Sequence, residues 1–233
     1  IKELLYKYHE DTTSDTKEAD LVSMRIAEVL ENNEFVFSPV GFVDLHSYLF
    51  SDVYPLEAGV VRKVNLSKAE PILNYESVKY ANWNSIKNQM EYDFTQEKNF
   101  DYENLSIEKM IHHFAEFTRN IWQTHPFMEG NTRTTAVFMQ LYLNSKGFSV
   151  NNDLFRDKSL YFRNALVRAN YANYPKGITE TTKYLEKFYD NLLLDKEHKL
   201  TNQELICAEL FQDKYNELGQ DDNNDGFDPA DDD

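Results

Sequence analysis

The sequence predicts a mostly α-helical fold, a helical core carrying one small β-hairpin flap. Two observations lead to it. Residues 106–124 set Met110, Ile111, Phe114, Phe117, Ile121 and Trp122 at helical spacing, and weaker versions of that period recur along the chain. Only residues 60–78 break the pattern with a β-prone run. A length of 233 residues is enough for one substantial core, or for one domain with a helical extension.

Taken in order, residues 16–32 place Leu21, Met24, Val29 and Leu30 near one face, with acids and Arg25 opposite. This is an amphipathic helix that breaks at Asn32-Asn33. Residues 40–50 form a second, apolar-rich helix that exits through Ser51-Asp52-Val53-Tyr54-Pro55. In 60–78, Val60, Val61, Val64, Leu66, Ile72, Leu73 and Val78 alternate with Asn65, Ser67, Lys68 and Pro71, which reads as a short two-stranded hairpin. Residues 79–92 return to helix, and 93–104 form a polar connection. The helix over 106–124 takes Ser106 as N-cap and stops at Thr124 or His125, because a residue before proline is pushed out of the αR region. The helix over 131–146 ends at Gly147, a C′ glycine. Helices over 157–172 and 179–194 flank Tyr174-Pro175-Lys176-Gly177, and 201–218 gives the last. There is no internal repeat.

Composition narrows the function. Net charge is −16, and the tail from Gly219 holds seven Asp without Lys or Arg, leaving −9 on the rest. An acidic body argues against a general nucleic-acid binder and leaves room for a small nucleotide in one pocket. No apolar run approaches a membrane span and no secretory signal opens the chain, which begins at Ile1 and reads as a trimmed start. The single Cys207 sits in an apolar run, so it reads as core, and a reducing compartment fits.

The chemistry gathers in residues 125–133, His-Pro-Phe-Met-Glu-Gly-Asn-Thr-Arg. A base, a carboxylate, a glycine turn, an amide and a guanidinium open directly onto a helix. A helix N-terminus offers unpaired N–H groups and partial positive charge, a seat for phosphate. His125 has the pKa range of a general base at neutral pH. Phe127 reads as a buried anchor, Gly130 as a position of close approach, and Asn131 as a cap with amide hydrogen bonds to spare for phosphate. The guanidinium of Arg133 suits a phosphate.

This stretch closely resembles the signature of the Fic family (filamentation induced by cAMP), HPFx(D/E)GNGRxxR. A second segment, Phe50-Ser51-Asp52-Val53-Tyr54-Pro55 with Ala58-Gly59-Val60-Val61-Arg62, is similar to the family's upstream LFxDxYPWAGxxR. The resemblance covers roughly residues 18–192. It implies a Fic domain over 18–195, between an N-terminal extension (1–17), a C-terminal helical extension (196–218) and an acidic, disordered tail (219–233). It implies a protein adenylyltransferase: AMP passes from Mg–ATP to a hydroxyl of a target protein, or of the enzyme itself. His125 is then the catalytic base, Glu129 holds Mg²⁺ (a dipole-stabilised cap being the alternative), and Gly130, Asn131, Thr132, Arg133 and Thr134 hold phosphate. Tyr161 and Asn164 fall where the family often builds its adenine pocket. Asn65, Leu66 and Ser67 fall in its target-binding flap, where an edge strand would pair with target backbone; an ordinary hairpin fits those residues equally.

Two positions depart from the family. Thr132 replaces its second Gly, and Ala136 its second Arg, which in relatives holds the γ-phosphate and pairs with an inhibitory Glu. That leaves donors other than ATP, or a weakly active Fic-like interaction module, as alternative readings. No inhibitory motif stands out: 27–32 lack the Ser or Thr, and Thr182 to Glu186 is followed by Lys187. Regulation that bypasses the usual Glu–Arg clasp is expected. The partners expected are a target with a Ser, Thr or Tyr hydroxyl and possibly a separate antitoxin, with no nucleic acid and no membrane. The expected location is cytoplasmic, or that of a secreted effector. Asp221 to Gly226 fits half a calcium loop, with an unstructured tail the better reading.

Overall fold

The structure, a computed structural model, describes residues 12–32 and 34–211. Within them run eight α-helices: α1 (Thr12–Asn32), α2 (Pro39–Phe50), α3 (Ile86–Lys98), α4 (Ile107–Thr124), α5 (Asn131–Ser145), α6 (Asp153–Asp157), α7 (Ser159–Ala169) and α8 (Lys183–Leu194). Local chemistry starts the main ones. Ser38 Oγ accepts the Gly41 N–H at 2.9 Å, and Pro39 occupies the first turn of α2. Ser106 caps α4 in the same way through Lys109.

The site rests on the α4–α5 pair. The amphipathic α4 buries Ile111, Phe114, Phe117, Ile121 and Trp122 along one stripe. α5 is buried through every residue from Val137 to Leu143, which is the mark of a central helix. Phe42 of α2 and Phe94 of α3 meet Phe138 of α5 edge-on, at 5.2 and 5.4 Å between ring centroids. Each such buried ring contributes roughly 1.5–3 kcal/mol of burial free energy, so the joint between α2 and α5 is firm.

The predicted hairpin flap is absent: no strand forms among the described residues, and the one antiparallel bridge there joins Asn173 to Ile178. Residues 60–70 and 76–82 run out and back around a short 3₁₀ turn, Pro71–Leu73. Side chains take the backbone groups that a ladder would pair. Arg62 donates to the carbonyls of Val64 and Ala81 (2.6 Å each), Ser77 Oγ accepts the Lys68 N–H (3.0 Å), and Asn65 Oδ1 accepts the Trp83 N–H (3.0 Å). Pro71 has no N–H to offer.

Other expectations shift. The helix read over 79–92 starts at Ile86 and runs to Lys98, so part of the expected polar connection is helical. Residues 153–169 hold two helices, α6 and α7. Residues 201–211 form 3₁₀ turns, Asn202–Leu205 and Ala208–Leu210, not the start of a helix. Each turn reaches for a tertiary partner: Cys207 N–H donates to Ile72 O at 2.9 Å, and Leu210 O accepts from Asn74 at 3.0 Å. Residues 1–11, the rest of 201–218 and the acidic tail with its calcium-loop pattern lie outside the described residues.

Candidate active site

The turn between α4 and α5 folds as its sequence suggests. His125 ends α4 in the left-handed region (φ 46°), its N–H returned to Trp122 O at 3.0 Å. Residues before proline avoid αR, and here the escape is to αL. Asn131 spends its side chain on the turn: its Oδ1 accepts the Phe127 N–H at 3.0 Å and its amide donates to Phe127 O at 2.8 Å. Gly130 sits at φ 80°, and a Cβ there would lie 2.6 Å from the Phe50 ring. Beyond it the first helical bond is Thr134 N–H to Gly130 O, at 2.9 Å. The N–H groups of Asn131, Thr132 and Arg133 therefore precede any intrahelical acceptor and form an anion seat.

Two buried side chains hold this turn from below. His46 stacks on Phe127, 3.6 Å between ring centroids. Its Nδ1 accepts the Gly59 N–H at 2.9 Å, so Nε2 carries the proton and donates to Glu129 O at 3.1 Å. Burial pulls its pKa down to about 4, so it is a neutral brace. Arg62 donates to His125 O at 2.7 Å and Thr124 O at 3.3 Å, besides the two flap carbonyls above.

His125 is 3% exposed. Its Nδ1 faces the Trp122 carbonyl at 3.3 Å, and a carbonyl only accepts, so Nδ1 is the protonated nitrogen. Nε2 is buried and without a partner in the fold. Burial, then the charges of Lys68, Arg62 and Arg163, hold the imidazole pKa well below its ordinary value. The result is a neutral base with its lone pair unused.

His125 lines a cavity of about 770 Å³. Gly130, Asn131, Thr132, Arg133, Glu129, Leu66 and Ser67 line it with His125. Thr134 is fully buried and returns its hydroxyl to Gly130 O at 3.0 Å. Thr132 accepts the Trp122 indole N–H at 2.9 Å, so the hydroxyl at the family's glycine position fastens the cavity's aromatic wall. Glu129 is 59% exposed and faces the Lys68 ammonium at 3.1 Å. Asn65 lines a neighbouring groove with Leu66 and Ser67.

Tyr161 and Asn164 do not line the cavity. Tyr161 is buried with its hydroxyl on Tyr184 O at 3.3 Å, and Asn164 faces Asn202 at 2.9 Å. The 100° step of a helix turns Arg163 toward the cavity in their stead. Arg163 is among the wall residues that the sequence reading missed, with Glu18, Tyr54, Lys68 and Tyr80. Glu18 of α1 pairs with Arg133 at 3.1 Å, while the Arg133 guanidinium also lies 4.7 Å from the centre of the Phe50 ring. A Glu–Arg pair thus does occupy the seat, but between residues that neither searched motif names. Glu186 of the expected spacing is engaged elsewhere, 2.6 Å from the Thr182 hydroxyl and 2.7 Å from His112.

A helical core with an anion seat between its two central helices, faced by a buried neutral histidine, defines the class. The Fic/DOC family model matches residues 36–143, a stretch that includes the whole turn between α4 and α5. Three solved structures share the fold. The Fic domain of a putative cell filamentation protein from Bartonella quintana, with bound ADP, is 17% identical at a TM-score of 0.58, covering 78% of this chain and 88% of its own. BepC of Bartonella tribocorum, with bound AMPPNP, is 15% identical at 0.57, covering 79% and 94%. The Fic domain of an effector from Bartonella sp. AR 15-3 is 15% identical at 0.57, covering 77% and 81%. No curated protein matches the chain.

Proposed function

We propose that the chain is a protein adenylyltransferase, moving AMP from Mg–ATP to a Ser, Thr or Tyr hydroxyl of a target protein, itself included. The observation that carries this reading is the unpartnered Nε2 of His125, a residue that lines one cavity together with the N-terminus of α5. Nε2 takes the proton of the acceptor hydroxyl as its oxygen attacks the α-phosphorus. The bond from that phosphorus to the bridging oxygen breaks, AMP stays on the acceptor, and pyrophosphate leaves. The N–H groups at the start of α5 and the Arg133 guanidinium stabilise the charge that develops on the phosphate oxygens. In the described arrangement Arg133 is shared with Glu18, so donor phosphates compete with that carboxylate.

Magnesium fits the residues present. It favours one or two carboxylates together with phosphate oxygens, and Glu129 is an exposed carboxylate at the seat whose partner is the flexible Lys68 ammonium. Glu129 would hold the metal, which when bound neutralises phosphate charge. Two nucleotide-bound relatives of the same fold, with ADP and AMPPNP, support an adenine nucleotide as donor. A donor other than ATP is the second reading, favoured by Ala136, which packs on the core and puts no cation one turn beyond the seat. A separate antitoxin remains a proposed partner. None of the described helices is long and apolar enough to cross a membrane.

The test is labelling with α-labelled ATP, then UTP, GTP and CTP, in the presence of Mg²⁺. ATP should label the chain or a target, and His125→Ala should cut labelling by roughly 10²–10⁴-fold, the range for a lost general base. Equal labelling by the variant would sink the enzymatic reading.

A further inference from the structure

Behind His125 lies a group of side chains that the transfer scheme leaves unused. The ring of Tyr80 stacks on the imidazole with centroids 4.0 Å apart and 30° between planes. Trp122 meets the same imidazole edge-on at 5.3 Å, and Tyr80 and Trp122 meet each other edge-on at 5.6 Å. The one hydrogen bond of the His125 ring, to Trp122 O, is 3.3 Å long, just past the usual range for N–H···O. It orients the tautomer weakly, so the aromatic walls must fix the ring.

Tyr80 is itself held. The Glu70 carboxylate lies 3.5 Å from its hydroxyl and is fully buried, with Arg163 bonded to both of its oxygens at 2.7 and 3.1 Å. The Glu70 backbone is pinned as well, its carbonyl accepting from Leu73 and Tyr75 and its N–H donating to Glu76 O. On either side of Tyr80, Ala81 N–H reaches Gln123 O at 3.2 Å and Lys79 O accepts the Gln123 amide at 3.1 Å. Tyr80 is therefore fastened to the same end of α4 that carries His125. A buried charged pair is costly to displace once formed, so it specifies one arrangement.

We infer that Tyr80 is a positioning residue for His125: its ring fixes the imidazole and keeps water off one face, and the Glu70–Arg163 pair keeps Tyr80 in register. This rests on the transfer reading for its catalytic consequence, not for its structural one. After burial, the charges that lower the imidazole pKa most are the cations Lys68, Arg62 and Arg163; the Glu129 carboxylate lines the same cavity, and Glu70 lies beyond Tyr80. With burial the cations favour the neutral ring, so the base stays neutral across the neutral pH range. Baring the ring restores hydration of the imidazolium, and the pKa climbs back toward its ordinary value. A fraction of the base is then protonated and idle at mildly acid pH.

The experiment follows the His125 imidazole by ¹⁵N NMR from pH 8 to 5.5 in the unmodified chain, Tyr80→Leu and Tyr80→Phe, alongside labelling kinetics with ATP. The unmodified ring should not titrate. Tyr80→Leu should bring a titration into the window, with kcat lower by about tenfold or more and the KM for ATP unchanged within about twofold. Tyr80→Phe keeps the ring and should keep the imidazole neutral, with kcat within about threefold of the unmodified chain. A Tyr80→Leu protein with unaltered titration and kcat overturns the inference, as does a Tyr80→Phe protein as damaged as Tyr80→Leu. If circular dichroism shows Tyr80→Leu unfolded, Tyr80→Met takes its place, filling the space without a ring to stack: the same titration and fall in kcat are expected, and their absence overturns the inference. The NMR arm needs no donor. A chain that labels nothing but whose His125 titration depends on Tyr80 faults the transfer reading alone.

Discussion

The turn from His125 to Asn131 and the flap segment from Val60 to Asn82 face each other across one cavity, yet they are held by opposite means. The turn is closed by its own residues, Asn131 gripping Phe127 and Gly130 taking the left-handed corner against Phe50. The flap has no ladder; a few isolated backbone bonds and the side chains of Arg62, Ser77 and Asn65 hold it. The chemistry of the base needs the first kind of support, since a misplacement of about an ångström costs on the order of 10²-fold in rate. Under the proposed function, a flap that meets a target tolerates the second kind.

The comparison breaks most visibly at Gly130. A side chain there meets the Phe50 ring at 2.6 Å and His46 Nε2 at 3.1 Å, at a φ of 80° that β-branched residues avoid. Gly130→Val should destabilise the fold by about 3–5 kcal/mol, overpacking and backbone strain together. Chemical denaturation measures it. A loss under about 1 kcal/mol would mean the turn yields as readily as the flap.

Arg62 serves both regions, with carbonyls at the start of the turn (Thr124, His125) and of the flap (Val64, Ala81) on a single guanidinium. Its burial, which lowers its pKa, is matched by those acceptors and not by a carboxylate. Arg62→Met should cost about 2–4 kcal/mol, through buried carbonyls left without donors. Arg62→Lys should recover little, because one ammonium cannot reach four acceptors set around a planar fork. Hydrogen exchange should show both regions loosening at once; loosening of the flap alone would separate them.

The same contrast explains what could be read in the sequence. The turn was legible because its determinants lie within nine residues and its motif is local. The cavity walls were not. Glu18 meets Arg133 across 115 residues of chain, and Glu70 meets Arg163 across 93. No period or spacing ties such pairs together before the fold does. The flap was misread for a related reason: its β-prone valines satisfy the pattern of a hairpin, but Arg62 captures the carbonyls, and Val60 and Val64 stay exposed. At α7 a helical stretch was recognised, but its face was not. Tyr161 and Asn164 were read as lining residues, where one step of helix turns Arg163 to the cavity.

The smallest effect belongs to the flap's edge and sharpens the comparison most. Asn65 makes one exposed bond, from Trp83 N–H to its Oδ1 at 3.0 Å, and borders the groove beside the cavity. Asn65→Ala removes a contact for which water can substitute, so stability should change by less than about 0.5 kcal/mol. If the segment meets a target through its main chain, the side chain is also dispensable for recognition, and labelling should stay within about twofold. A loss of labelling without a loss of stability would assign Asn65 a contact with the target. A loss of stability above about 1 kcal/mol would show the flap to be as tightly specified as the turn it faces.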